Sequence, residues 1–385
     1  MTSKGFAVRT QIAMSTKSGA NGLGQIPAAG INGRRREPIP HSLPTIGEDE
    51  IAAATACFSS GKIADGPAVA GFENEVAGFL GRAQGVATNC GTSALHLALL
   101  TIGVGRGDEV LLPTYTCPAL LNAVHYVGAT PVLVDSEVGG YNMSAEDAER
   151  RFGSAVKAVI LPSMFGEPAD PRPFLALGML VIEDLAQSFG AGQPALGRLG
   201  QLAVCSFYAT KVLTTVEGGM VLTDRDDWGH CCRDLRSTAG HEEFRLRYNY
   251  KMSNLNAAVG SVQLRRLSDF LARRRTIAQL YREAWRDCEL ILPAESEGHI
   301  YYRFMVRVPG DRRDVFAAGL RGRGVTCGRG VLNPLHRMLG LADRDFPAAT
   351  QAFKEGVSIP IYPSLSETDV GKIIADVKDV IRNIY

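Results

Sequence analysis

The fold is decided by residues 107–135, which read GDEVLLPTYTCPALLNAVHYVGATPVLVD. Residues 109–112 and 130–134 are apolar runs with the length of buried strands, and residues 118–127 between them follow a helical pattern. Further strand candidates continue the alternation at residues 158–161, 180–182, 203–207 and 219–222. Strands that alternate with helices predict an α/β protein whose mostly parallel sheet is covered by helices on both faces.

Helical patterns also flank this alternation and continue beyond it. One helix is expected at residues 47–59 and another at 144–151, where Ser144 and Asp147 have the spacing of a capping box. After the last strand the pattern predicts a long helix at residues 257–285, a strand at 301–308, and helices at 312–323 and 367–383. Because single cores rarely reach 385 residues, we expect two domains. The large domain covers residues 37–260, and a long helix with a smaller α/β domain covers residues 261–385.

The first 36 residues differ from the rest in composition. They contain no acidic residue and six Lys or Arg, with many Gly, Ser and Ala. Such a composition predicts a disordered extension. A transit peptide and a later start at Met14 are compatible with the same features.

The overall composition excludes several classes of protein. Lys and Arg number 41 against 40 Asp and Glu, a formal charge of +1, so no general attraction to nucleic acid or to a membrane surface is expected. No apolar run has the length of a membrane span, and no signal peptide is apparent.

The eight cysteines form no CxxC pair, which favours reduced thiols in the cytoplasm. His230, Cys231 and Cys232 are adjacent but have no partner pair, so no metal site is expected.

A phosphate site is one interpretation of residues 89–93, Asn-Cys-Gly-Thr-Ser, which lead directly into an apolar helix. A Gly-Thr-Ser turn at a helix N-terminus presents free N–H groups, hydroxyls and the positive end of the helix dipole. An ordinary helix cap has the same sequence features.

Two acids follow the strand candidate at residues 180–182. Glu183 and Asp184 stand at its carboxyl end, the edge where open α/β sheets bind ligands. A carboxylate there can pair with a pyridinium nitrogen, and Gln187 can hydrogen-bond a ring substituent. A surface turn is the alternative.

Lys211 ends the segment Cys-Ser-Phe-Tyr-Ala-Thr-Lys at residues 205–211. Apolar surroundings would lower the pKa of its amine and allow it to attack an aldehyde, while Ser206 can donate to a phosphate. A surface lysine is the alternative. Neither a GxGxxG, a GxxxxGK nor a GxSxG motif supports a different chemistry.

Taken in order, these segments resemble the DegT/DnrJ/EryC1/StrS family of sugar aminotransferases, which use pyridoxal 5′-phosphate (PLP) and have the fold-type I architecture. The similarity runs from about Ile39 to the C-terminus. It rests on GPAVAGFENE (66–75), NCGTSALHLAL (89–99), GDEVLLPTYT (107–116), GATPVLVD (128–135), VIEDLAQSFGA (181–191), SFYATK (206–211), EGGMVLT (217–223) and YNYKMSNLNAA (248–258).

The resemblance implies a role for each matching residue. Lys211 forms the aldimine with PLP, Asp184 pairs with the pyridine nitrogen, and Gln187 pairs with the ring hydroxyl. The phosphate is bound by Gly91, Thr92 and Ser206. Asn249 reaches the phosphate from the other subunit, so the resemblance implies a homodimer with shared active sites.

Two positions depart from the family's pattern, and a third matches it near the active-site mouth. Cys117 stands where many members of the family have an aromatic residue that stacks on the cofactor ring. Lys251 replaces an arginine, keeping the charge without the guanidinium fork. His336 matches a histidine near the mouth of the family's active site and is a candidate substrate contact, although a core histidine is an equal alternative.

The resemblance also implies the reaction. A PLP-dependent transaminase would move an amino group from L-glutamate or L-glutamine to a keto-sugar, expected in nucleotide-linked form, by a ping-pong mechanism. The alternatives are a cyclitol or another keto substrate, or a non-catalytic regulator that binds PLP or a sugar nucleotide.

Overall fold

The predicted sheet is present and has seven strands. The computed structural model describes residues 37–192 and 196–385, so the prediction of a disordered extension over residues 1–36 lies outside the described part. The strands are β1 (Gln84–Thr88), β2 (Glu109–Pro113), β3 (Thr130–Val134), β4 (Val156–Pro162), β5 (Leu180–Asp184), β6 (Leu202–Ser206) and β7 (Gly219–Thr223).

The sheet has the order β1-β7-β6-β5-β4-β2-β3. Pairing is parallel from β3 across β2, β4 and β5 to β6, whereas β7 is antiparallel to both of its neighbours. The α/β class with a mostly parallel sheet is therefore confirmed. All six strands predicted for this sheet occur, and β1 is an additional strand that its short mixed sequence did not reveal.

This topology determines where polar side chains meet. Because β1 is antiparallel to β7, it runs in the same direction as the parallel strands, and all six have their carboxyl ends at one edge. Asp184 is the last residue of β5 and Ser206 the last of β6. The helix that follows β1 begins at Gly91 on the same edge. Ligands of open α/β sheets bind at this edge.

Thirteen helices are present in the described part of the chain. They are α1 (Glu48–Ser60), α2 (Pro67–Leu80), α3 (Gly91–Thr101), α4 (Pro118–Tyr126), α5 (Ala145–Arg151), α6 (Arg172–Ala176), α7 (Asp226–Leu235), α8 (Asn254–Arg265), α9 (Leu267–Trp285), α10 (Arg313–Gly322), α11 (Leu335–Met338), α12 (Pro347–Glu355) and α13 (Glu367–Ile384). None of the described helices is long and apolar enough to cross a membrane.

The expected capping box of α5 is only half formed. Ser144 caps the helix as predicted, since its hydroxyl accepts the N–H of Asp147 at 3.2 Å. The Asp147 carboxylate instead accepts the N–H of Asp135 and pairs with Arg150 and Arg151. The acid therefore ties the helix to the turn after β3 rather than to its own cap.

The prediction of a single helix at residues 257–285 is wrong. Helices α8 and α9 are separate and meet at Arg266. Neither Pro nor Gly marks the break. The guanidinium of Arg266 pairs with the buried carboxylate of Glu50, at 2.7 Å, on α1. Such a contact across more than 200 residues leaves no local sequence signal.

The C-terminal part of the chain builds its own sheet and core. Strands β8 (Phe304–Arg307) and β9 (Gly356–Ile359) pair antiparallel, and the buried faces of α9, α10 and α13 pack against them. Residues 38–385 form one compact unit. The domain boundary at residue 260 therefore stays a prediction.

Trp285 offers a test of this second core. Its ring is fully buried and stacks on Tyr281 with 4.6 Å between ring centroids. Replacing Trp285 with Ala leaves a cavity and should lower the free energy of unfolding by about 3–5 kcal/mol. Urea unfolding followed by circular dichroism measures the change. Val315→Ala, at a side chain 60% exposed on α10, is the control, and an equal effect of both substitutions would contradict the packing described.

Candidate active site

A cavity of about 240 Å³ opens at the carboxyl edge of the large sheet. Seven of the residues that the sequence singled out line it together, although they come from distant parts of the chain. These residues are Gly91, Thr92, Cys117, Asp184, Gln187, Ser206 and Lys211.

The N-terminus of α3 forms one wall of the cavity. Cys90 caps this helix with its sulfur, which accepts the N–H of Ser93 at 3.4 Å. Gly91 and Thr92 occupy the first helical positions, where backbone N–H groups have no partner inside the helix. These N–H groups and the positive end of the helix dipole suit a phosphate.

Gly91 lies unusually close to Ser206. A Cβ atom at Gly91 would be 2.8 Å from the Ser206 Cβ and 3.1 Å from its Oγ. Only glycine lets the turn before α3 approach the end of β6 so closely. Both residues therefore present their polar groups to the same point of the cavity.

The structure distinguishes the two acids of the Glu-Asp pair. Glu183 points away from the cavity and accepts the N–H groups of Gly197 and Gly200, at 2.8 and 2.6 Å. Asp184 lines the cavity and is buried, with the N–H of Ala186 on its Oδ1 at 2.9 Å. Burial raises the pKa of Asp184, and the hydrogen bond from Ala186 and the positive charge of Lys211 offset only part of that rise.

Gln187 is held by the turn after β4. Its Oε1 accepts the N–H of Phe165 at 3.1 Å, while its Nε2 has only the sulfur of Met164 nearby, at 3.8 Å. The Phe165 backbone has a φ of 57°, a left-handed conformation that non-glycine residues rarely adopt. Because Nε2 donates one hydrogen to the Met164 sulfur, one amide hydrogen of Gln187 is left to donate into the cavity.

Lys211 lies against an aromatic residue that the sequence did not reveal. Its Nζ stands 5.5 Å from the centre of the Tyr302 ring, and the guanidinium of Arg303 lies 5.2 Å from the same centre. Burial raises the pKa of Tyr302, but the charges of Lys211, Arg303 and Arg274 and a hydrogen bond with Thr210 together outweigh it, and the pKa is lowered overall. Tyr302 comes just before β8, far from every motif, so its position depends on tertiary packing alone.

Other cavity residues were quoted in motifs without being given a role. Tyr208 and Glu217 line the cavity on either side of the Lys211 loop, and Thr116 lies beside Cys117. Cys117 is exposed and precedes α4 as its N-cap residue. A thiol therefore lies in the cavity wall at the position of the expected aromatic ring.

Asn249 and His336 are not part of the cavity lining. Asn249 is exposed, its carbonyl accepts the Asn89 side chain at 3.3 Å, and its Oδ1 accepts Lys251 Nζ at 3.0 Å. His336 is completely buried, and its ring nitrogens pair with Thr114 at 2.7 Å and Asp343 at 3.1 Å. The contacts of His336 are those of a core histidine, because both nitrogens already have protein partners.

The sequence pattern of the DegT/DnrJ/EryC1/StrS aminotransferase family matches residues 44–378. The chain belongs to this family. The resemblance seen in the motifs is thereby confirmed, and the protein is a PLP-dependent aminotransferase.

Curated relatives and solved structures agree with this membership. GDP-perosamine synthase of Caulobacter vibrioides is 34% identical over 332 residues, covering 80% of this chain and 89% of the relative. Spore coat polysaccharide biosynthesis protein SpsC of Bacillus subtilis is 32% identical over 387 residues, covering 91% and 98%. Among solved structures, the aminotransferase TlmJ from Streptoalloteichus hindustanus superposes with a TM-score of 0.85 at 32% identity, covering 90% and 99%.

The cavity of this family member has the groups that PLP requires. The N-terminus of α3 with Ser206 offers donors for a phosphate, the buried Asp184 offers a carboxylate for a ring nitrogen, and Lys211 offers an amine. Their placement at one edge of the sheet, around a single cavity, matches a flat, anionic cofactor.

The close approach of Gly91 to Ser206 predicts a sensitive position for cofactor binding. Replacing Gly91 with Ala should weaken PLP binding by roughly tenfold or more, because the new methyl group must displace Ser206. PLP affinity is measured by titration of the visible absorbance. Gly71→Ala is the control, since a methyl group at Gly71 on α2 meets nothing within 4 Å. Unchanged affinity in Gly91→Ala would show that the contact does not shape the site.

Proposed function

We propose that this enzyme transfers the amino group of L-glutamate or L-glutamine to a keto-sugar in nucleotide-linked form, by a ping-pong mechanism. The observation that carries the proposal is the convergence of Lys211, the buried Asp184 and the α3 N-terminus on one cavity. The substrate class is supported by the relatives, which include GDP-perosamine synthases and a polysaccharide biosynthesis protein.

PLP supplies an electron sink for the reacting carbon when it is bound. The buried carboxylate of Asp184 stabilises a protonated ring nitrogen. The Ala186 N–H bonds its Oδ1, which leaves its other oxygen to face the ring. Gly91, Thr92 and Ser206 orient the cofactor through its phosphate. Gln187 fixes the ring hydroxyl with the amide hydrogen that does not bond the Met164 sulfur.

Lys211 is the group that moves the proton. Its Nζ would take the proton from the carbon that carries the amino group and return it two atoms away, on the far side of the nitrogen, the 1,3-shift that interconverts amine and ketone. Tyr302 packs against the amine and limits its motion. The same residues act in both half-reactions, which are the reverse of each other.

The visible spectrum tests the lysine and the donor together. Purified protein with PLP should show a yellow absorption band that L-glutamate converts to the pyridoxamine form. Lys211→Ala should lose turnover by roughly ten-thousandfold and keep its circular dichroism spectrum. Transamination retained in Lys211→Ala would disprove the assignment, and a band that neither L-glutamate nor L-glutamine alters would disprove the donor.

We further propose that two chains share each active site, with Asn249 acting on the cofactor phosphate of the neighbouring subunit. Asn249 is exposed and does not line the cavity of its own chain. The same segment exposes Phe244 and Leu246, at 97% and 65% of their surfaces. Large apolar side chains this exposed are typical of surfaces that a second protein covers.

Mixed dimers test the shared site. Lys211→Ala and Asn249→Asp should each be inactive alone. Random association of the two variants puts one intact site in half of the dimers, so about a quarter of the original activity should return. Lys211→Ala mixed with Asp184→Asn is the control and should recover nothing, because both residues act in the same chain. No recovery with Asn249→Asp would mean that the site is completed within one chain.

We place the enzyme in the cytoplasm. All eight cysteines lie in the described part of the chain and are free thiols. Several of them are buried in the core, where a reducing environment leaves them unpaired.

A further inference from the structure

The segment that carries Asn249 has no regular structure of its own. Residues 236–253, which connect α7 to α8 and are all described by the structure, contain neither a helix nor a strand. Loops of more than about 12–15 residues are uncommon in compact domains and are usually functional or disordered. The position of Asn249 therefore depends on the contacts that the segment makes with the rest of the chain.

Two tyrosines anchor the segment on either side of Asn249. The rings of Tyr248 and Tyr250 stack with 5.1 Å between their centroids, and both pack edge-on against the ring of His96 on α3. The Tyr250 hydroxyl and Nδ1 of His96 form a hydrogen bond of 3.0 Å. Both tyrosines are partly buried, whereas Asn249 between them is exposed. The alternation turns the Asn249 side chain away from the body of its own chain.

Asn89 ties the same segment to the start of α3. Its backbone N–H donates to the Tyr250 carbonyl at 2.7 Å, and its Nδ2 donates to the Asn249 carbonyl at 3.3 Å. Its Oδ1 accepts the hydroxyl of Ser93, in the first turn of α3, at 2.7 Å. The backbone of Asn249 is thereby fixed relative to the N-terminus of this helix.

Lys251 orients the amide of Asn249. Its Nζ donates to the amide Oδ1 at 3.0 Å, and within the described residues the Nδ2 of Asn249 has no acceptor. An N–H donor beside an ammonium group suits a phosphate oxygen. The exposed side of the segment thus presents the polarity that binds an anion.

The helix and the segment differ in how firmly they are held. Residues 94–99 of α3 are buried in the core of the large sheet, and His96 is only 3% exposed. The helix therefore keeps its place when a contact with the segment is lost. The segment has no such core, so loss of the same contact frees Asn249.

We propose that Asn89, His96 and Tyr250 form a clamp that positions Asn249 for the cofactor phosphate of the neighbouring subunit. The three are positioning residues, since none of them lines the cavity of its own chain. Side chains of one chain then set the affinity of the other chain's site for PLP. This inference deepens the proposed function and rests on the shared site.

Tyr250→Phe is the smallest change that opens the clamp, because it removes the hydroxyl and keeps the ring. In the homodimer it should weaken PLP binding about fivefold, the loss expected for one hydrogen bond. Titration of the visible absorbance measures the affinity. Tyr126→Phe is the matched control and should change nothing. The Tyr126 ring also packs against His96, at 5.4 Å, but its hydroxyl has no partner within the described residues.

Mixed dimers identify the chain in which the hydroxyl acts. When Lys211→Ala pairs with Asn249→Asp, the one complete site takes Asn249 from the first chain and Lys211 from the second. Tyr250→Phe added to the Lys211→Ala chain should raise about fivefold the PLP concentration that gives half of the recovered activity. Tyr250→Phe added to the Asn249→Asp chain should have no effect, because the segment of that chain serves no complete site.

The outcomes separate the clamp from the shared site. If the parent pair recovers activity and Tyr250→Phe acts equally from either chain, only from the Asn249→Asp chain, or from neither, the clamp is overturned and the shared site stands. If the parent pair recovers nothing, both are overturned. Asn89→Ala on the Lys211→Ala chain should have at least the same effect and carries the test if Tyr250→Phe fails to fold. The glutamate-dependent spectral change of the unchanged protein, recorded in parallel, tests amino transfer separately.

Discussion

Parallel pairing is the constraint on which the site depends. Because β4, β5 and β6 run in one direction and β1 runs with them, the chain leaves the sheet at the same edge each time. Asp184, Ser206 and the start of α3 meet there without any direct sequence proximity. The strand backbones fix these positions, and the side chains between them fill the core. The chemistry of the cavity is therefore a consequence of strand direction.

Much of this arrangement could be predicted from sequence because it depends on local pattern. Apolar runs of strand length, helical spacing and the Gly-Thr-Ser turn each identify an element or its end. The local pattern did not distinguish Glu183 from Asp184, and only the resemblance to the family selected Asp184, the acid that lines the cavity. The break at Arg266 and the place of Tyr302 also remained hidden, because they depend on contacts between residues far apart in the chain.

Lys211 has an acidic residue on one side and basic residues on another. Asp184 on one side is a buried acid whose pKa is raised by burial. On another side Arg303 adds positive charge near Tyr302, and the buried Arg274 donates to the carbonyls of residues 301, 302 and 361. Burial lowers the pKa of Arg274 to about 10. Lys211 thus stands between a buried carboxyl group on one side and guanidinium groups on the other.

The close approach of Gly91 to Ser206 has an evolutionary consequence. A Cβ atom at position 91 would lie 2.8 Å from the Ser206 Cβ, so the two positions are sterically coupled and a larger residue at one requires a compensating change at the other. The exposed Cys117 on the cavity wall has no such constraint, and its position can vary over generations while the sheet edge persists.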